Sequence, residues 1–572
     1  MEYAIYPLPH EIDYKEKRIN LPEEISIDST VDLNSIIVDR LNTALKMHDS
    51  KIVDKADYVI KIRVDKDLSE KISAYEIDIA KTGINIVTVD EKTVFYALSS
   101  LSLIFEQSFG ELEVMTIKDY SDYKLRGIVE GYYGLPWGNK KRKDVIDFGS
   151  QFKMNAFVFA PKDDPFHRER WFDLYSSEDA KAIGDVAKFS MARNVTYYWT
   201  ISPFLKNEHE LTKDNIDEGL DLIIKKFEQL YEYGVRGFGV LGDDVGNLDY
   251  ETVTHLVNEL NAWCHAKGDV ASLIFCPGAY NMEDWAFKDG SELNYFDKHF
   301  DEDVELFYTG ESVCAPLDEE GVEAFKTRET EEGQVRRDPL FWMNWPVNDI
   351  DKGRTRRIFM GPGEVYAQGV FDVSGVLTNP MQQPEASKVG VFATLDYAWN
   401  ARDFECISSW QECFGYIDVD AASSLNEIAK HVAYQDIRGV KGEALESVEI
   451  AKLSKKLDEA ENKVSVLNDL KIQYTKILDA IDRYIREYGN KDLFEELKPY
   501  IKALSDKCIA ALKYMDYYIE SNESDLEAAK SYLEKAYNHQ IPSLREEPFY
   551  AEVGAKVINN NIKQLQALAE SK

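Results

Sequence analysis

Residues 194–244 read NVTYYWTISPFLKNEHELTKDNIDEGLDLIIKKFEQLYEYGVRGFGVLGDD. The runs VTYYWTISP and RGFGVLGDD have the near-continuous apolar character of strands buried on both faces, as in a parallel sheet. Between them Ile216, Leu220, Ile223, Phe227 and Leu230 recur at helical spacing and form one apolar face. The same rhythm extends in both directions. KLRGIVEGYYG and NAFVFAPKDD come before this unit; SLIFCPGAY, VELFYTG, PLFWMNWPVND and GVLTNP come after it, with amphipathic helical stretches between several of them. Strands alternating with helices over about 280 residues predict a (β/α)8 TIM barrel, whose usual size is roughly 250 residues. An open doubly wound sheet is the alternative. Against it, no GxGxxG follows the first run and no P-loop occurs.

The flanks have other patterns. Residues 1–120 mix alternating strand-like runs (DYVIKIRVDK, AYEIDI, TGINIVTVD) with helical stretches, and predict an N-terminal α/β domain with helices on one side of a small sheet. Residues 121–418 are assigned to the catalytic barrel. Residues 419–572 predict a C-terminal helical bundle. There Leu453, Leu457, Ala460, Val464, Leu467, Tyr474, Leu478, Ile481 and Ile485 form one stripe, read as a single long helix that Gly489-Asn490 ends.

Composition narrows the function. The chain has 572 residues, 44% of them hydrophobic, and acidic residues outnumber basic ones by 103 − 67 = 36. That excess argues against nucleic acid or an anionic membrane as the main partner. No run approaches a membrane span. The start, MEYAIYPLPHEIDYKEK, lacks a basic segment followed by an apolar one, so a cytoplasmic location is expected. The six cysteines show no CxxC spacing and the nine histidines no HExxH, so neither a metal nor any other cofactor is expected.

A barrel places its active site at the C-terminal ends of its strands. The residues there are Glu130, Gly131, Tyr132 and Tyr133; Lys162, Asp163 and Asp164; Asp243 and Asp244; Tyr280; Thr309; Trp342, Asn344, Asn348 and Asp349; and Asn379. They are carboxylates, amides and aromatic rings with one lysine. No Ser-His-Asp set and no paired Cys and His occur among them. Hydrogen-bonding groups with aromatic walls suit a polyhydroxylated ring, and paired carboxylates suit glycosidic cleavage. Two pairs compete, Asp243-Asp244 and Asp163-Asp164. Adjacent carboxylates in low dielectric repel, so one can stay protonated as a general acid.

The motifs RGIVEGYYGLPW, FVFAPKDDPFHRERW, GVLGDDVG, FCPGAY, FYTG, WMNWPVND and GVLTNP, in this order, resemble those of family 84 glycoside hydrolases. These are retaining β-N-acetylglucosaminidases that include the O-GlcNAcases, some bacterial members being labelled hyaluronidases. The resemblance implies substrate-assisted catalysis, in which the 2-acetamido oxygen of the sugar attacks the anomeric carbon and forms an oxazoline. It implies that Asp243 accepts the acetamido N–H and that Asp244 is the general acid and base. Gly131, Lys162, Asp349 and Asn379 then contact ring hydroxyls. Tyr280 and Asn344 hold the acetamido group and Asp243, while Thr309 and Trp342 wall its methyl, with Tyr133 close by. Asp163 and Asp164 become structural, capping the following helix, and Glu130 needs partners inside the barrel. Asp243 is expected at an exposed strand end, where Asn would barely change the fold. The implied partners are glycans or glycoproteins bearing β-N-acetylglucosamine. An endo-acting hyaluronidase and an inactive sugar-binding protein are the alternatives. The closed set Tyr133, Trp342, Asp349 and Asn379 argues against the first, and the presence of both aspartates against the second.

Overall fold

The computed structural model describes residues 3–206, 209–245, 249–284, 291–327, 337–349, 355–434, 445–542 and 548–572. Gly246, the last residue of GVLGDDVG, lies outside them. Eight parallel strands close into a barrel: Leu125–Glu130, Ala156–Phe159, Thr196–Ile201, Gly237–Leu241, Ile274–Cys276, Glu305–Tyr308, Leu340–Met343 and Gly375–Thr378. They pair in chain order, and the eighth returns to the first in the register Gly375 to Leu125 through Thr378 to Ile128. Apart from Thr196 at one strand start, every strand residue is buried. Burial on both faces is why these runs carry no polar alternation.

The helix Ile216–Tyr233 lays Ile223, Phe227 and Leu230 on the barrel and stops at Gly234, whose φ of 117° is open to glycine at little cost. Lys226 lies in the same buried face. Its ammonium donates to the carbonyls of Phe166 and Trp171 at 2.9 and 2.7 Å, tethering the loop after the second strand, and burial lowers its pKa to about 7. Ahead of the barrel, seven strands form one sheet under the mutually packed helices Ser35–Lys46 and Glu91–Glu106. Trp399, from the last barrel helix Pro384–Trp399, enters that core, and its indole N–H donates to buried Asp119 at 2.9 Å.

The C-terminal region is mostly helical, with two departures from the sequence reading. The stripe from Leu453 to Ile485 is two helices, Val448–Glu459 and Lys463–Glu487. Asn462 caps the second, its side chain accepting the Ser465 N–H, so the apolar pattern runs on across a break. In addition, the strand Phe549–Glu552 pairs antiparallel with Gln540–Ile541 and parallel with Thr355–Arg357 of the loop before the last barrel strand. The C-terminal chain is thereby stitched to the barrel at its catalytic end.

A second tie involves Glu496 of the helix Lys491–Glu520. Its carboxyl accepts the N–H groups of Glu385 and Ala386 at 2.9 and 3.1 Å, capping the last barrel helix from the bundle. Burial pushes its pKa up to about 8. The folded protein therefore holds a proton that the unfolded chain, with a Glu pKa of about 4.3, has already released. The contribution is complete below the unfolded pKa and is lost as pH rises through about 8. Glu496→Gln keeps an acceptor oxygen without the titration. The melting temperature of this variant minus that of wild type is expected to rise between pH 5 and 8; a constant difference contradicts the assignment.

Candidate active site

Of the sixteen strand-end residues, the eleven that the resemblance places in the sugar site, Gly131, Tyr133, Lys162, Asp243, Asp244, Tyr280, Thr309, Trp342, Asn344, Asp349 and Asn379, line one cavity of about 540 Å³, whereas Glu130, Tyr132, Asp164 and Asn348 do not. Its floor is set by backbone fit. Gly131 follows the first strand, and a Cβ there would stand 2.3 Å from the Trp342 ring, so only glycine admits the indole. The Gly131 N–H donates to Asn379 Oδ1 at 3.2 Å. Asn379 Nδ2 and the Trp342 indole N–H both donate to Asn344 Oδ1 at 2.9 Å, and Asn344 Nδ2 donates to the Val313 carbonyl at 2.7 Å. Trp342 is 4% exposed and serves barrel packing as well as the cavity wall. Thr309 Oγ1 is engaged with the Ser312 carbonyl at 2.9 Å.

The two aspartates after the fourth strand sit in different surroundings. Asp243 is 6% exposed, and its Oδ2 accepts a hydrogen bond from the buried Lys162 ammonium. Its Oδ1 is buried with no hydrogen-bond partner. A buried acceptor left open costs about 1–3 kcal/mol, and this one belongs to a residue that lines the cavity. The expectation that Asp243 is exposed is thus corrected: the loop turns it inward onto Lys162. Asp244 is exposed and has a φ of 57°, a left-handed conformation that is strained for a residue other than glycine. The turn aims its carboxylate at two phenols. Tyr133 O–H donates to Oδ2 at 2.6 Å and Tyr280 O–H to Oδ1 at 3.1 Å. Burial and the two carboxylates push the Tyr280 phenol well up, so it remains a donor. Tyr280 therefore meets Asp244, and Asn344 meets Trp342 and Asn379, where the resemblance had both near Asp243. Tyr133 also bridges the cavity, its N–H donating to Asp349 Oδ2 at 2.8 Å.

The other acidic pair divides. Asp164 Oδ1 accepts the N–H groups of Phe166 and His167 at 2.9 and 3.0 Å, capping a turn where a helix was expected. Asp163 accepts the Gly134 N–H at 2.6 Å and lines the cavity, as its strand-end position allowed but the capping role implied by the resemblance did not. Glu130 is fully buried and paired with Arg142 at 2.6 Å, behind the cavity. Eight further lining residues were not singled out, among them Arg356, Gln382 and Phe549. Arg356 donates to Gln382 at 2.8 Å and lies 5.1 Å over the Phe549 ring, so the C-terminal strand closes one wall. No local signal marks Phe549, which is brought in by a strand pairing nearly two hundred residues long in sequence.

Among the described residues no group of three His, Cys, Asp or Glu side chains could hold a metal ion, and no helix is long and apolar enough to cross a membrane.

Comparison with known proteins agrees with this geometry. The family model described as beta-N-acetylglucosaminidase matches residues 126–430, more than half of the chain, and that of glycosyl hydrolase family 20, domain 2, matches residues 2–120. Protein O-GlcNAcase of Mus musculus and that of Rattus norvegicus are each 27% identical over 283 residues, which are 47% of this chain and 29% of theirs. The match thus spans under a third of those relatives. The solved structure of CpGH84D is similar over 100% of both chains, with a TM-score of 0.89 and 29% identity. An O-GlcNAc hydrolase of Thermobaculum terrenum shares the fold, with a TM-score of 0.63 and 20% identity over 77% of this chain and 94% of its own. The chain belongs to the beta-N-acetylglucosaminidase family, the family 84 glycoside hydrolases, and is a glycoside hydrolase of that type.

Proposed function

We propose that the protein removes terminal β-linked N-acetylglucosamine from glycans or glycoproteins, in the manner of an O-GlcNAcase, with retention of configuration and with the substrate's acetamido group as nucleophile. The observation that carries this reading is the orphaned Asp243 Oδ1. An acetamido N–H is the donor it lacks. With Lys162 fixing the other oxygen, the carboxylate orients the acetamido carbonyl toward the anomeric carbon and stabilises the positive charge that develops as the oxazoline ring closes. Asp244, at the exposed side, protonates the leaving oxygen and then takes a proton from the incoming water. Tyr133 and Tyr280 hold it in place through both steps. Thr309 and Trp342 take the methyl, and Asp349, Asn379 and Lys162 take ring hydroxyls. No nucleophile from the protein is required. Tyr133, bound at both ends across the cavity, favours a pocket for one terminal sugar over an open cleft.

The experiment is turnover of an aryl N-acetyl-β-D-glucosaminide beside the matching β-glucoside. The first is expected to be hydrolysed and the second to be essentially inert. Efficient cleavage of the glucoside would show that the acetamido group is not the nucleophile.

A further inference from the structure

Arg168 lies in the loop after the second strand, next to the buried His167, and is only 8% exposed. Among the described residues no carboxylate lies within ion-pair distance of its guanidinium, and its Nε is buried without a partner. A buried, unpaired cation is expensive to maintain and is rare unless it does something. Its one side-chain hydrogen bond runs from Nη1 to the Tyr133 hydroxyl at 3.4 Å, and the guanidinium sits 5.9 Å from the centre of the same ring. That hydroxyl is the one donating to Asp244 Oδ2 at 2.6 Å.

We propose that Arg168 is a positioning residue for the general acid, acting through Tyr133 to favour the ionised Asp244 carboxylate. The chain runs from cation to phenol to carboxylate. A guanidinium donating to the phenolic oxygen draws electron density from the O–H and makes it a stronger donor to Asp244. Burial and the Asp244 contact push the Tyr133 phenol up, and Arg168 is the group that opposes them. The result is an acid that releases its proton more readily to the leaving oxygen, at the step where poor leaving groups need it.

Among the described residues, the other groups around Asp244 have partners of their own. Tyr133 approaches from the first loop and Tyr280 and Cys276 from the fifth strand and its loop; Asp243 precedes Asp244 in the chain. Lys162 and Asp163 come from the second loop, the lysine spent on Asp243 and the aspartate on the Gly134 N–H. Asp349 comes from the seventh loop and holds the Tyr133 N–H. Arg168 is the cation that reaches Asp244 through Tyr133.

The test is the pH profile of kcat/KM on an N-acetylglucosaminide with a poor leaving group, for wild type, Arg168→Gln and Arg168→Met, with and without Tyr133→Phe. Because the guanidinium has no counter-ion, neither substitution orphans a carboxylate; Met also fills the buried space, and melting temperature verifies the fold. The alkaline limb, which reports the acid, is expected to move up by roughly half a unit to one unit in either Arg168 variant. In the Tyr133→Phe background the same substitutions should not move it. A rate lowered equally at all pH with the limb in place, or a shift that persists without the phenol, overturns the proposal. The inference rests on Asp244 being the acid. If that reading fails, Asp244→Asn will show no dependence on leaving group; if only the present inference fails, that dependence remains and the limb does not move.

Discussion

Asp243→Asn is expected to lower kcat/KM by about 10²–10³, and by a similar factor on activated and unactivated N-acetylglucosaminides, as for loss of a preorganised contact to developing charge. One oxygen is held by Lys162 and the other is buried without a partner on a residue that lines the cavity, so the charge is fixed in place before substrate arrives. On the proposed mechanism, asparagine keeps the shape but presents no negative charge to the forming oxazolinium ion. Since ring closure itself is slowed, a better leaving group does not rescue the rate. The substitution also carries a stability cost that the sequence did not foretell. Lys162 is 3% exposed at its side chain and loses its counter-charge, and breaking a buried ion pair costs roughly 3 kcal/mol. The melting temperature should fall, and rates are therefore compared well below the transition. A folded Asp243→Asn enzyme with near-normal activity would remove the assignment and turn attention to Asp163, the other carboxylate after the second strand that lines the cavity.

Asp244→Asn is expected to behave differently. On the proposed mechanism it removes the proton donor while leaving the acetamido nucleophile and Asp243 intact. General acid catalysis typically contributes about 10²–10⁴ in rate, so substrates with poor leaving groups should lose that much. An aryl glycoside with an acidic phenol leaves with little help and should keep much of its rate in the step that expels the leaving group. Asn can still accept from Tyr133 and Tyr280, and Asp244 is exposed, so the fold should be little affected. Equal losses on both substrate classes would take Asp244 out of the acid role. Together the two variants separate charge stabilisation from proton transfer.

The barrel was legible because its strands are buried on both faces. Runs such as GFGVL and AFVF carry no polar residue until the strand ends, so their boundaries coincide with the cavity rim. The residues at those ends converge by the geometry of the fold alone. What sequence could not supply was orientation. Nothing in GDD tells which aspartate turns inward; the left-handed backbone at Asp244 does that. Tyr280 and Asn344 line the cavity, but the hydrogen bonds they make within the protein were not legible, since a hydroxyl or amide finds its bond only once neighbouring loops are in position. The C-terminal contribution was hidden for another reason. Phe549 lies on a strand that pairs with one far away in sequence, and Asn462 caps a new helix inside the apolar stripe, leaving Val464 of that stripe exposed. Nothing in HRERW marks Arg168, whose burial away from any carboxylate among the described residues is a product of the fold.

The central claim is that the substrate supplies its own nucleophile. Stepwise fluorination of the N-acetyl methyl group weakens the carbonyl oxygen as a nucleophile while leaving the aryl leaving group unchanged. The measurement is kcat/KM for the wild-type enzyme across the acetyl, fluoroacetyl, difluoroacetyl and trifluoroacetyl series. A steady fall with each fluorine is the predicted result; rates that do not depend on fluorine content would contradict the account.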